Sequence, residues 1–114
     1  MPSPASVSAT ELKHRLDAGE ALQLVDVREA MELDLARLQQ PVIHLPLSQS
    51  ETWIEQISTL INRDQPVVVL CHAGIRSWQF ACWLMEAQGY DQVLNLQGGI
   101  DAWSVSADPM VPRY

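Results

Sequence analysis

The residue types that can do nucleophilic chemistry concentrate in one run, Cys71-His72-Ala73-Gly74-Ile75-Arg76-Ser77. A cysteine thiolate is a strong nucleophile, and glycine allows a tight loop in which the backbone approaches a ligand closely. Arginine adds a permanent positive charge and a fork of donors that suits an anion. The run therefore predicts a nucleophilic Cys71 on a short loop, with Gly74 shaping the loop and Arg76 available to an anion.

The elements on either side of this run place Cys71 at the end of a central strand. Residues 67–70 are apolar without alternation, which is typical of a parallel strand covered by helices on both faces. A helix is predicted from about Ser77 to Gln88, with Gly89 ending it. Ligand sites in open parallel sheets lie at the carboxyl ends of strands, where loop amides and the positive end of the next helix favour an anion. A cysteine there is expected to ionise readily.

The rest of the chain alternates predicted helices and strands, which indicates an α/β fold. Further strands are predicted at residues 21–27, 41–45 and 93–96. A helix is predicted to begin at Ser8, where Ser8 and Glu11 match a capping box. Other predicted helices are residues 29–35, roughly ten residues from Ser48, and a short one after Gly98-Gly99. The whole chain, 1–114, is predicted to be one domain with its core at about 8–104 and an extended tail at 105–114.

Asp26 and Arg28 lie at the end of the strand predicted at residues 21–27, and Glu32 lies close behind them. Asp26 and Arg28 are predicted to lie at the same sheet edge as Cys71, where a strand-end salt bridge braces the loop. Two roles stay open for Arg76: binding an anion, or pairing with Glu32 or another carboxylate beside that strand. A Cys71–His72 dyad with His72 as the base is not expected, because adjacent residues on a tight loop rarely present their side chains to one another. His72 is expected instead to line the mouth of the pocket.

Two stretches of the chain resemble the rhodanese family. The run from Val67 to Trp103 matches an apolar strand, C-x-x-G-x-R-S, a helix, G-[FY]-x-x-V and L-x-G-G-I-x-A-W. The segment LVDVREAME resembles the family's strand ending in D-V-R with a glutamate a few residues later. The resemblance covers about residues 8–103, and the tail D-P-x-V-P-R-Y also looks like an ending seen in single-domain bacterial members.

This resemblance implies a three-layer fold, a mainly parallel five-stranded sheet between helices, and a two-step sulfur transfer without a cofactor. The Cys71 thiolate would attack the outer sulfur of a donor such as thiosulfate and become a persulfide. An acceptor, cyanide in the assay or a thiol in the cell, would then remove that sulfur. The amides of residues 72–77 would cradle the persulfide and the leaving anion, with Asp26, Arg28 and Glu32 in support.

The chain departs from the family pattern in two places. Residues 36–41 stand where many members read G-H-I-P-G-A, so the rim built by that segment differs. His72 and Ala73 stand where several thiosulfate-active members carry a basic residue. Affinity for thiosulfate is therefore expected to be low, and another persulfide, including one on a protein, is an alternative donor.

Rival functions remain open at this point. A sulfur-relay or partner-binding module would keep Cys71 and show little thiosulfate activity. A cysteine-based phosphatase or arsenate reductase can share this fold, but phosphatases of that kind need a loop one residue longer to hold phosphate. Cys71-His72 as a zinc site fails because no second ligand cluster follows. Cys82 lies within an apolar helical run and is expected to be packing.

Composition limits the partners. The net charge is −7 with seven Lys and Arg in 114 residues, so a nucleic-acid partner is not expected. No apolar run approaches the roughly 20 residues of a membrane span. The first residues lack a secretory-signal pattern, so a cytoplasmic location is expected, in which both cysteines are thiols.

Overall fold

Five short segments form one parallel sheet in the computed structural model, which describes residues 3–114. The strands are β1 (Ala5–Val7), β2 (Gln23–Asp26), β3 (Ile43–His44), β4 (Val67–Leu70) and β5 (Val93–Leu96). Their order across the sheet is β1-β5-β4-β2-β3, and every pairing is parallel. The predicted α/β fold with a five-stranded sheet between helices is confirmed.

Helices cover both faces of the sheet and create two apolar layers. The helices are α1 (Ala9–Asp17), α2 (Ala30–Leu35), α3 (Ile57–Leu60), α4 (Ile75–Glu86) and α5 (Gly99–Ser106). Side chains alternate along a strand, so β4 sends Val67 and Val69 into one layer and Val68 and Leu70 into the other. All four are fully buried, which explains why this strand is apolar at every position.

The edge strand β1 is not predicted by the sequence analysis. It is three residues long, and only Val7 is buried. It exists because it pairs with β5, with Ala5 opposite Leu94 and Val7 opposite Leu96. A three-residue segment offers too little alternation to be recognised from its own residues.

The predicted helix from Ser48 is wrong. That segment contains two 3₁₀ helices, Leu47–Thr52 and Ile54–Gln56, before the single turn of α3. The backbone leaves helical geometry at Gln49 and again at Trp53, whose φ is −129°. The indole of Trp53 donates instead to the carbonyl of Pro46 over 3.0 Å, and the Ser48 hydroxyl donates to Glu29 rather than capping a helix.

The remaining elements agree with the predictions apart from their ends. The Ser8 hydroxyl accepts a hydrogen bond from the Glu11 amide over 3.1 Å and so begins α1 as predicted. The helix α4 begins at Ile75, two residues earlier than predicted, so Arg76 and Ser77 belong to its first turn. None of the helices formed by residues 3–114 has the length and apolar character that crossing a membrane requires.

Candidate active site

Cys71 is the first residue after β4, at the carboxyl end of the sheet. The backbone N–H groups of Gly74 and Ser77 donate to its Sγ over 3.1 and 3.3 Å. The residue is 1% exposed, so the sulfur lies at the base of the loop rather than on its rim. Two fixed donors aimed at one buried atom can stabilise negative charge on that atom.

The loop takes its shape from Gly74 and from a polar residue of β5. Gly74 has a φ of +101°, which an L side chain rarely adopts, and this turn aims its amide at the sulfur. The Asn95 amide group donates to the Gly74 carbonyl over 3.0 Å, and the Ser77 hydroxyl donates to Asn95 Oδ1 over 2.6 Å. Asn95 therefore holds both ends of the segment that contacts the sulfur.

The first turn of α5 holds the other side of the loop. The amides of Ile100 and Asp101 donate to the carbonyls of Cys71 and His72 over 2.9 and 3.1 Å. The close approach of α5 to the loop backbone requires a glycine at position 99, because a Cβ there would overlap both carbonyl oxygens. The amides of this helix end are thus bound to the loop backbone and fix the direction in which Cys71 points.

Asp26 and Arg28 form the strand-end pair that the sequence analysis predicts. Both are buried, and the Arg28 guanidinium donates through Nε and Nη2 to the two carboxylate oxygens of Asp26 over 3.0 and 2.8 Å. Arg28 also donates to the carbonyls of Ala36 and Glu32. Asp26 lies opposite Leu70 in the sheet, so the pair ties α2 to the strand end that carries Cys71.

Of the two roles left open for Arg76, the structure shows the pairing with Glu32. Its Nη1 and Nη2 donate to the two carboxylate oxygens of Glu32 over 2.7 and 2.9 Å. The Arg76 guanidinium, with weaker help from Tyr114 and the Glu29 amide, holds the pKa of Glu32 at about 2. The Glu32 carboxylate in turn raises the pKa of Arg76, with smaller contributions from Cys71 and Tyr114. The charge of Arg76 therefore acts near the sulfur while its donors contact α2.

The other loop residues lie closer to the protein surface than Cys71 does. His72 is half-buried, and its ring contacts that of Tyr114 with centroids 4.3 Å apart. Ala73 and Ile75 are exposed, and Ile75 is followed one turn later by the exposed Trp78. Within residues 3–114 no group of three or more His, Cys, Asp or Glu side chains could hold a metal ion.

The comparison with known families decides the identity of the fold. The profile of the rhodanese-like domain matches residues 8–106. The chain belongs to the rhodanese-like domain family. A protein described as "Sulfurtransferase" from Allochromatium vinosum is 37% identical over 109 residues, covering 92% of each chain. This match over nearly the whole length of both chains supports sulfur transfer as the general activity.

Two further similarities concern a longer protein and a solved structure. The chain is 42% identical over 92 residues to the chloroplastic rhodanese-like/PpiC domain-containing protein 12 of Arabidopsis thaliana, which covers 81% of this chain but 30% of that protein. A rhodanese-like domain protein from Staphylococcus aureus superposes with a TM-score of 0.75 at 26% identity, covering 96% and 98% of the two chains. These similarities agree with the fold described above.

Two residues of this rhodanese-like site are missing from the sequence analysis. Asn95 is a single polar residue in an otherwise apolar strand, and it is 5% exposed. A lone polar residue at the carboxyl end of such a strand is a signal that could have identified it. Tyr114 lies far from the loop in sequence, and its spacing from the loop gives no comparable signal.

Proposed function

We propose that this rhodanese-like domain moves sulfane sulfur from a donor to a thiophilic acceptor through a persulfide on Cys71. The observation that carries the proposal is the pair of amide hydrogen bonds from Gly74 and Ser77 to Sγ. The same two donors can stabilise the thiolate before transfer and the terminal persulfide sulfur after it. Donors held in place by the backbone need no reorganisation during the reaction.

The transfer takes two displacements at sulfur. The Cys71 thiolate attacks the outer sulfur of thiosulfate, the S–S bond of the donor breaks, and sulfite leaves with the bonding electron pair. The anionic persulfide on Cys71 is then attacked at its outer sulfur by cyanide or a thiolate. Thiocyanate or a new persulfide leaves, and the Cys71 thiolate returns. Charge and atoms balance in both steps without an oxidant or a cofactor.

Thiosulfate is the proposed assay donor, and its affinity is expected to be low. Arg76 is the only Lys or Arg among residues 72–77, and both of its terminal nitrogens contact Glu32. The net charge of the chain is −7, which disfavours the approach of a dianion. Binding of thiosulfate therefore depends mainly on the loop amides.

A sulfur relay from a persulfide donor, including a protein persulfide, is the second candidate. The pairing of Arg76 with Glu32 favours it, because a singly charged or protein-bound persulfide needs less compensating positive charge than thiosulfate. The exposed Ile75 and Trp78, which are 71% and 46% exposed, offer apolar contact beside the loop. Faster transfer from a protein persulfide than from thiosulfate would distinguish this candidate.

Mass spectrometry of the intact chain tests the proposal directly. The reduced chain is incubated with thiosulfate, desalted and weighed, and a second portion is treated with cyanide. We expect a gain of one sulfur atom on Cys71, located by peptide mass, which cyanide removes. A parallel incubation uses a small persulfide as the donor. Sulfur found on Cys82 instead of Cys71, or no added sulfur from either donor, would contradict the proposal. Hydrolysis of an aryl phosphate by the pure chain would favour the phosphatase alternative.

A further inference from the structure

We propose that Tyr114 is a positioning residue of this site, which fixes the His72 ring at the mouth of the loop and so limits the size of the molecule that reaches Cys71. The inference rests on the proposed function, because it takes Cys71 to be the reacting group. It assigns to the tail a part in selecting the donor and the acceptor.

The tail is fixed along its path to the site. Val111 is 3% exposed and belongs to the apolar layer formed with α1 and α5. The Ser104 hydroxyl donates to the Pro112 carbonyl over 3.3 Å. Arg113 donates to both carboxylate oxygens of Asp101 over 2.8 and 3.0 Å. These contacts carry the chain across α5 to the carboxyl edge of the sheet.

The hydroxyl of Tyr114 lies between two side chains that are themselves held in place. It accepts a hydrogen bond from Arg28 Nη1 over 3.0 Å and donates to Glu32 Oε2 over 2.7 Å. Arg28 is fully buried and is held by Asp26, while Glu32 is held by the fork of Arg76. The position of the tyrosine ring is therefore set by the same network that supports the loop.

The His72 ring depends on this tyrosine for its position. The two rings meet edge to face, with centroids 4.3 Å apart and an angle of 65°. The Nδ1 atom of His72 is buried, and it has no hydrogen-bond partner in the part of the chain that the structure describes. Asp101, whose pKa is lowered mainly by Arg113 and also by His72, has both carboxylate oxygens bound to Arg113. Packing against Tyr114, rather than a hydrogen bond at Nδ1, thus holds the imidazole.

Loss of the tyrosine ring would let the imidazole turn outward, where water can satisfy Nδ1. His72 directly follows Cys71, which is 1% exposed, so this turn would widen the approach to the sulfur. A wider mouth raises the rate at which a bulky reagent reacts with Cys71 more than it raises the rate of a small reagent. The ratio of their rates at Cys71 therefore reports the proposed role.

The experiment compares alkylation of Cys71 by iodoacetamide, which is small, and by N-(1-pyrenyl)maleimide, which is bulky. Peptide masses separate Cys71 from Cys82 in the full chain. We expect Tyr114→Ala to raise the bulky-to-small rate ratio at Cys71 about two- to tenfold, the range set by losing one aromatic pair. Tyr114→Phe keeps the ring and should change the ratio less. Met110→Ala is the matched control in the tail, because the side chain of Met110 is 78% exposed, and it should leave the ratio unchanged.

A second pair of variants tests whether the effect passes through His72. His72→Ala should raise the ratio as Tyr114→Ala does, and the double variant should add nothing further. Additive effects, an unchanged ratio in Tyr114→Ala, or an equal change in Tyr114→Phe would overturn the proposal. Should Tyr114→Ala unfold, Tyr114→Leu retains apolar bulk without the ring and carries the same expectation.

The two proposals fail in different ways. Alkylation reports access to Cys71 whether or not the chain transfers sulfur. An unchanged ratio with normal persulfide formation would contradict the role of Tyr114 alone. A changed ratio without persulfide formation would contradict the proposed function and leave the role of Tyr114 in controlling access.

Discussion

Cys71 and Cys82 carry the same chemical group, one in the loop before α4 and one inside that helix, and the backbone gives them different surroundings. Cys71 precedes α4, where Gly74 is the N-cap residue and Ser77 the third helical residue. The first N–H groups of a helix lack intrahelical partners, and two amides of this helix start donate to Cys71 Sγ. Cys82 lies inside α4, where helical hydrogen bonds engage the backbone amides.

Their surroundings act on the two thiols in different ways. Burial, with a smaller contribution from Glu86, raises the pKa of the Cys82 thiol and so disfavours its thiolate. Cys71 instead serves as a capping acceptor for the helix that follows it. The comparison teaches that the amide donors around the sulfur distinguish Cys71 from Cys82, whereas low exposure does not by itself mark a candidate nucleophile, since Cys71 is the more buried of the two.

The largest expected effect is that of Cys71→Ser, which keeps a capping acceptor but removes the sulfur nucleophile. We expect thiosulfate–cyanide turnover to fall to the uncatalysed background. The melting temperature should stay within a few degrees of wild type, because a hydroxyl can accept the two amide hydrogen bonds. Cys71→Ala is the matched comparison and should be less stable, since both amides lose their acceptor. Turnover above background in Cys71→Ser would contradict the proposed role of Cys71.

The next effect concerns Glu32, whose contacts join the loop of Cys71 to α2. In Glu32→Gln we expect the free energy of unfolding at pH 7 to fall by about 1–2 kcal/mol, a value discounted for solvent because 37% of the Arg76 side chain is exposed. The pKa of Glu32 is about 2 in the fold and 4.5 without its partners. Its contribution is therefore full above about pH 4.5 and is lost as the pH falls toward 2.

Urea unfolding at pH 7 and pH 3 measures this contribution. The difference between wild type and Glu32→Gln should be smaller at pH 3 than at pH 7. Asp34→Asn is the control on the same helix, because its side chain is 81% exposed and its distance to Arg37 is 3.8 Å. Arg76→Ala should also lower the melting temperature. A rise in its Michaelis constant for thiosulfate without loss of stability would instead indicate that Arg76 binds the anion.

Local residue patterns predicted most of the fold because they reflect burial and backbone geometry. The unbroken apolar run of β4 indicated a central strand, Gly74 indicated a tight loop, and Gly98-Gly99 indicated the start of a short helix, all of which the structure contains. The helix predicted from Ser48 failed because the backbone leaves helical geometry at Gln49 and Trp53, a break that the spacing of apolar residues does not show. The strand β1 was missed because its pairing with β5 comes from the far end of the chain.

The candidate site divides in the same way. Short motifs and strand ends predicted which residues meet at the carboxyl edge of the sheet, namely Cys71, Gly74, Arg76 and the pair of Asp26 and Arg28. The direction in which Arg76 points stayed open, because the choice between Glu32 and an anion depends on how α2 packs. Tyr114 was missed because its contacts with the site depend on how the whole tail crosses α5.

The smallest expected effect is that of Cys82→Ala, which tests the comparison of the two thiols at the cysteine inside the helix. Cys82 is half-buried. The two loop amides that donate to a sulfur atom both donate to Cys71 Sγ, and neither donates to Cys82. In Cys82→Ala we expect turnover within about twofold of wild type and a loss of stability of about 1 kcal/mol or less, because a small half-buried side chain is shortened. Steady-state kinetics and thermal unfolding measure both quantities. Complete loss of turnover with an unchanged melting temperature would show that Cys82 takes part in the transfer, and the helix interior would then supply a second reactive thiol.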